Sequence, residues 1–175
     1  MKQHLEEKLK LLESETDTIY RSLDSLSEQE LTDKSYGWSL VQVLAHLEMT
    51  ERGSVMYMKK KMMAGDKMGN LSIKHRLRLW FGKYFMQSNL KWKAPKVVGE
   101  PPADHSYQEM KSKWSDTRKA IGDYIKEYPE HFLNKTVYKH PIAGRQNLAG
   151  ALDCFIYHQR HHIHQIRRIK KRIGA

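Results

Sequence analysis

Cys154-Phe155-Ile156-Tyr157-His158-Gln159-Arg160-His161-His162-Ile163-His164-Gln165-Ile166 places four histidines within seven residues. The stretch lacks glycine and proline, and its apolar residues recur at spacings of three and four, the pattern of a helix. On a wheel of about 100° per residue with Leu152 at zero, the face carrying Phe155, Ile156, Gln159, Ile163, Ile166, Ile169 and Ile173 spans about 260° through zero to about 40°. His162 falls inside that arc at about 280°, and His158 at its edge at about 240°. His161 falls at about 180° and His164 at about 120°, on the polar side with Arg168 and Lys171.

Two inward histidines one turn apart can present two imidazoles to one metal ion. A third ligand must then come from another helix. Val43-Leu44-Ala45-His46-Leu47 offers His46, about 60° from Val43 at the edge of its own apolar stripe. Three imidazole nitrogens leave coordination positions open for water or substrate, which is the catalytic rather than the structural pattern. Spacing alone equally allows histidines that are hydrogen-bonded core residues, or a packing feature sensitive to pH.

Outward from these segments, the chain reads as four long amphipathic helices. Residues 2–26 carry Leu5, Leu9, Leu12, Thr16, Ile19, Leu23 and Leu26 on one face. Residues 27–37 form a polar connection. Ser39 caps a second helix running to about Met63. A short helix over 73–85 and a proline-bearing extended loop from Lys93 to Pro102 lead to a third long helix, capped by Ser106 and ending near Tyr128-Pro129. The turn His140-Pro141-Ile142-Ala143-Gly144 precedes the fourth, residues 147–173. Strand-like alternation is confined to 136–138. The expectation is an all-α four-helix bundle, one domain over 1–175, with a long crossover between helices two and three.

The 175 residues carry a net charge of +11. Two visible basic clusters, Lys59-Lys60-Lys61 and Arg167 to Arg172, fall near helix C-termini, where cations meet the negative end of the dipole. No nucleic-acid motif accompanies the charge, so nucleic acid is not an expected partner. No run approaches the ~18 apolar residues of a membrane span, and no membrane partner is expected. The charged N-terminus lacks a signal-peptide core, pointing to the cytoplasm. The lone Cys154 excludes an internal disulfide and a cysteine-cluster zinc site. It reads as a small buried residue, with a redox or pocket role as the alternative.

Trp38-Ser39-x-x-x-x-Leu44-x-His46-Leu47-x-x-x-Glu51 and His158-x-x-x-His162-x-x-Gln165-Ile166 resemble the second- and fourth-helix motifs of the DinB/YfiT-like metalloprotein family. Ala94-Pro95-x-Val97-Val98, Trp114-x-x-x-Arg118 and His140-Pro141-x-x-Gly144-x-x-Asn147-Leu148 are similar to its DinB_2-type branch. The resemblance implies a four-helix bundle, often a homodimer, holding Zn²⁺ or Ni²⁺ at the positions of His46, His158 and His162. It implies a small-molecule substrate. Characterised relatives include S-transferases that use bacillithiol or glutathione and a mycothiol-dependent maleylpyruvate isomerase, so a low-molecular-weight thiol is a candidate partner. DNA binding is not implied. The leading expectation is a metal-dependent enzyme, hydrolase-like or a thiol-dependent S-transferase. The competing one is a bundle that binds metal or ligand without catalysis. Glu51 is a candidate base or ligand-orienting group, or else a surface carboxylate balancing Arg52. Arg118 is a candidate clamp for an anionic substrate group, or an ordinary solvated arginine. Gln165 either orients a ligand or packs.

Overall fold

The computed structural model describes residues 2–63, 65–87 and 100–175. The motif at 94–98 and most of the proline-bearing loop lie outside the described residues. The four long helices are α1 (Lys2–Leu23), α3 (Leu40–Met62), α5 (Tyr107–Glu127) and α6 (Leu148–Ile173). The short α2 (Glu28–Thr32) and the crossover helix α4 (Ile73–Gln87) complete the α-helices among the described residues. A two-stranded antiparallel hairpin, β1 (Tyr138–His140) with β2 (Gly144–Gln146), precedes α6.

Caps set several of these boundaries. The Ser39 Oγ accepts from the Gln42 N–H, while the Gln42 side chain accepts from the Ser39 N–H, both at 3.1 Å. This reciprocal pair satisfies two otherwise orphaned donors. Ser106 and Asn147 cap α5 and α6 through the N–H groups of Glu109 and Gly150. Gly174 closes α6 in the left-handed region at φ +81°. The segment expected to be a plain polar connection contains α2. Its Ser27-x-x-Glu30 is itself a capping box, and it exists to seat Leu31, which is buried, in the core. The turn before α6 is the turn of the β1–β2 hairpin, with Gly144 at φ +72°. The three-residue strands are too short to alter the helical class.

Polar contacts give the helix directions. Along α1 and α6, Lys8 meets Asp153, Glu15 meets Arg160, and Lys170 reaches the Ser22 carbonyl. The two therefore run parallel. Against α5, α1 is antiparallel: Lys2 meets the Lys126 carbonyl, Thr16 meets Arg118, and Asp24 meets Lys111. Gln42 bonds Pro101 just before α5, and Glu51 bonds Trp114 and Arg118 within it, so α3 and α5 are parallel. Each long helix packs mainly on two others, α1 on α6 and α5, α3 on α5 and α6. α1 and α3, and likewise α5 and α6, thus sit across diagonals, whereas α3 and α5 are neighbours. Parallel neighbours cannot be joined by a short loop, and the chain must return the length of the 23-residue α3, roughly 35 Å at 1.5 Å per residue. That requirement produces the long crossover, and α4 uses it to pack against α6.

The apolar core has two main clusters. One gathers Leu5, Leu12, Met58, Ile121, Tyr124, Leu152 and Phe155; the other Ile19, Leu23, Leu44, Leu47, Met110, Trp114 and Ile166. Each such side chain contributes about 1.5–3 kcal/mol by burial. Between them lies a buried polar belt of Thr16, Glu48, Glu51, Thr117, Arg118 and Gln159. Among the described residues no helix is long and apolar enough to cross a membrane.

Candidate metal centre

His46 enters from the second turn of α3, and His158 and His162 from adjacent turns of α6. The antiparallel packing of these helices brings the three rings together. The His158 Nε2 lies 3.2 Å from the His46 Nε2 and 3.1 Å from the His162 Nε2. All three offer one nitrogen within 4.8 Å of the others, the one such cluster among the described residues. Two Zn–N bonds of about 2.0–2.1 Å, opened by about 90–110°, span a chord of about 2.9–3.4 Å. Both measured separations fall inside that range, so the donor set fits a divalent ion.

The rings are held in the electrically neutral form that a metal requires. Burial, with a smaller contribution from His161, lowers His46 to about 4. Burial and the His46 charge lower His162 to about 3. Burial, then the charges of His162 and His46, takes His158 well below its ordinary value. Three neutral imidazoles aiming Nε2 atoms at one another cannot all be satisfied. His162 donates from Nδ1 to the Gln165 Oε1 at 2.7 Å, which leaves its Nε2 as a lone pair. At most one hydrogen bond can then relieve the His158 contacts, whereas a cation would use all three lone pairs. Gln165 thereby fixes which nitrogen of His162 faces the cluster. His46 is held differently. Its Nδ1 is buried without a hydrogen-bond partner, and its ring sits 5.2 Å from Trp38 and 4.7 Å from His162.

The residues 11–166 match the family profile of the DinB superfamily. The chain belongs to the DinB superfamily. Its fold is similar to a solved structure described as "YfiT from Bacillus subtilis is a probable metal-dependent hydrolase with an unusual four-helix bundle topology". The TM-score is 0.56 at 15% identity, over 97% of this chain and 87% of that one. No curated protein matches the chain.

In this DinB-superfamily chain the histidine cluster opens into a cavity of about 950 Å³. Trp38, Met49, Met86, Ile142 and Phe155 supply apolar wall, and Lys139, Arg168 and Arg172 supply cations. Among the described residues no aspartate or glutamate lines it. Tyr138, whose hydroxyl lies 3.4 Å from the Ser54 Oγ, and His140 face it from the hairpin. The His140 Nδ1 accepts from the N–H groups of Ile142 and Ala143, both at 3.2 Å, so the ring proton sits on Nε2. Burial lowers His140 to about 4 and keeps it neutral. Sequence reasoning placed His140 in a turn motif but not in the site. The signal was the histidine of that His-Pro-x-x-Gly turn, legible only once the hairpin folds over α6. His161 also borders the cavity, its ring 5.2 Å from that of His162, though it lies outside the ligand cluster. His164 does not line it.

Glu51 and Arg118 lie elsewhere in the fold. Neither lines the cavity. Glu51 is 1% exposed and faces α5, because five residues after His46 it has turned to the other side of α3. Its carboxylate meets Arg118 Nη1 at 2.9 Å and Nη2 at 3.1 Å, and accepts from Trp114 Nε1 at 3.0 Å. Arg118 Nη2 also donates to Thr16 and Gln159. Arg52 pairs with Glu48, not Glu51. Both groups are committed to the polar belt. Cys154 is 1% exposed beside Met86 and Ala143, and burial pushes its thiol up.

Proposed function

We propose that this chain is a metal-dependent enzyme, hydrolase-like, acting on a small molecule with an apolar body and an anionic group, and that His46, His158 and His162 hold its ion, Zn²⁺ or Ni²⁺. The observation that carries the reading is three neutral Nε2 donors at metal-ligand spacing, opening into a large cavity without carboxylates among its described lining. A divalent ion held there supplies Lewis acidity and lowers the pKa of water, or of a thiol, toward neutrality.

This chain's own residues define the rest of the chemistry. Gln165 fixes the His162 tautomer. Trp38 packs its ring against that of His46. His140 presents an Nε2–H to the cavity, a hydrogen-bond donor toward an oxygen that gains negative charge. Lys139, Arg168 and Arg172 attract and orient an anionic end of the substrate. With no carboxylate in the described wall, general-base work by Asp or Glu is not available. This favours chemistry in which the nucleophile is already ionised when it attacks. Such a site serves hydrolysis and thiol transfer alike. The cationic side suits the carboxylates of a small peptide thiol, which keeps S-transfer as a second reading.

The test is metal content and turnover in protein purified without an affinity tag. About one divalent ion per chain is expected, together with chelator-sensitive turnover across a panel of anionic esters, amides and thiol–electrophile pairs. Metal-free protein that gains no ion from excess Zn²⁺ or Ni²⁺ would falsify the reading. Stoichiometric metal without turnover would reduce it to a binding module.

A further inference from the structure

The face of α4 that points away from the bundle is apolar where a solvent-exposed helix should be polar. Ile73, Leu77, Trp80, Phe81 and Tyr84 are 77%, 54%, 53%, 66% and 59% exposed. On a wheel with Ile73 at zero they occupy one arc from about 340° to about 80°. Gly82 and Met86, which are buried against the rest of the fold, fall on the opposite side of that wheel. A Cβ at Gly82 would lie 3.5 Å from the Ala143 Cβ, ordinary van der Waals contact, so this side of α4 is seated directly on the hairpin turn. The outward arc is thus not a misplaced core face. α4 already has one, and the arc is a second apolar surface.

Cations border that arc on both edges. Arg76 and Lys83 lie just before its start on the wheel, and Lys74 and Arg78 just beyond its end. The sequence around the helix is equally one-sided. Residues 67–99 contain eight Lys and Arg and no Asp or Glu, which leaves 23 basic against 20 acidic residues in the rest of the chain. That segment therefore carries as much net charge as the two basic clusters at the helix C-termini together.

We infer that α4 is an interfacial helix that lies in the plane of an anionic phospholipid surface, its aromatic arc in the acyl boundary and its flanking cations on the headgroups. Trp, Phe, Tyr and Leu on one side with Lys and Arg beside them is the composition such helices use. The rings of Trp80 and Tyr84, 5.0 Å apart, form the amphipathic wedge that sits at a membrane–water boundary. A second copy of the chain is a poorer occupant. Two such faces related by a two-fold axis would bring like charges together with no acid on either helix to offset them. A nucleic acid is poorer too. The surface is a convex helix with aliphatic as well as aromatic members, not a groove that tracks a phosphate backbone. The contact is peripheral, and it revises the expectation that no membrane is a partner. It does not depend on the metal site.

The test is flotation of the full chain with vesicles of phosphatidylcholine alone or mixed with phosphatidylglycerol, at low and high salt. The chain should float with the anionic vesicles only, and high salt should weaken the association strongly. Trp80→Ala/Phe81→Ala and Lys74→Glu/Arg76→Glu, all at exposed positions, should each weaken it more than about tenfold while leaving circular dichroism and metal content unchanged. The charge pair stands as an independent arm if the aromatic variant misfolds. No flotation with anionic vesicles overturns the inference, as does flotation equal for wild type and the folded variants. Lipid-free protein that instead shifts a single-stranded oligonucleotide, or self-associates through the same residues, overturns it in favour of that partner.

Discussion

Replacing Arg118 with methionine should cost the fold far more than the site. In the native chain the guanidinium contacts both oxygens of Glu51, the Thr16 hydroxyl and the Gln159 side chain. Thr16 and Gln159 retain each other at 3.1 Å when it goes, so they lose little. Glu51 is the exposed liability. It is 1% accessible and would keep only the Trp114 N–H. Leaving one member of a buried ion pair behind costs about 3–5 kcal/mol, against a total stability of about 5–15 kcal/mol. In urea the midpoint should fall by about 1–3 M. Burial already pushes the Glu51 carboxyl up while Arg118 pulls it down, so in Arg118→Met it should rise further. A carboxyl whose folded pKa lies above its unfolded one contributes no penalty at low pH and destabilises as pH rises. The deficit should therefore be smaller near pH 5 than near pH 8. Removing both charges, in Glu51→Leu/Arg118→Met, should recover most of the loss, because an apolar pair of similar volume needs no partner. Metal content should be near one ion per chain in every folded variant. An Arg118→Met protein within about 1 kcal/mol of wild type, or one that keeps its stability but loses its metal, would refute this account. It would return Arg118 to the site.

Alanine at His46, His158 or His162 should abolish or greatly weaken metal binding, while alanine at His161 or His164 should leave stoichiometry unchanged; equal partial losses in all five would mean adventitious binding by a histidine-rich surface. Gln165→Leu removes the acceptor for the His162 Nδ1–H and should weaken metal affinity about 10–100-fold in a chelator competition, with little change in melting temperature. Trp38→Ala should loosen His46, whose Nδ1 has no hydrogen bond to hold it, and lower affinity as well; a tight site in this variant would show that α3 alone positions the ring. Cys154 should stay unreactive toward a thiol-specific disulfide reagent near pH 8 until the protein is unfolded, and fast labelling of folded protein would contradict its burial.

The inward placement of His162 was legible because a long helix turns sequence spacing directly into direction, though His161, read on the polar side, also borders the cavity. His162 is 6% exposed and Gln159 fully buried, as the wheel requires, and the family pattern reached His46 on another helix. Three things resisted reading. Short elements carry too few residues for periodicity, so α2 was hidden although its Ser27-x-x-Glu30 cap is written in the sequence. Helix wheels say that a residue is inward but not toward which neighbour. Glu51 and His46 are both inward on α3, yet one meets α5 and the other α6. Residues that act through a turn, as His140 does, have no period at all. The charge of the crossover was hidden for another reason. Runs of adjacent lysines are visible, whereas the excess over 67–99 is an absence of acids and shows only by subtraction.

The helix order explains why the cavity lies where it does. His46 meets His158 and His162 because α3 and α6 are antiparallel neighbours, which any four-helix bundle could arrange. A bundle of short hairpin loops would expose those rings to solvent along the groove between the helices. Here α3 and α5 are parallel, so the chain must cross the bundle between them. That crossing lays α4 against α6, and Met86 becomes part of the cavity wall. The α5-to-α6 connection spans a diagonal, and its hairpin delivers Tyr138, His140 and Ile142 to the same cavity. The ligand cluster is therefore a property of two helices, but the cavity above it is a property of the connections. Relatives that keep the three histidines and change the crossover or the hairpin should keep a metal and change the molecule it acts on. Exchanging residues 138–146 between two such proteins should accordingly shift substrate preference and leave metal stoichiometry untouched.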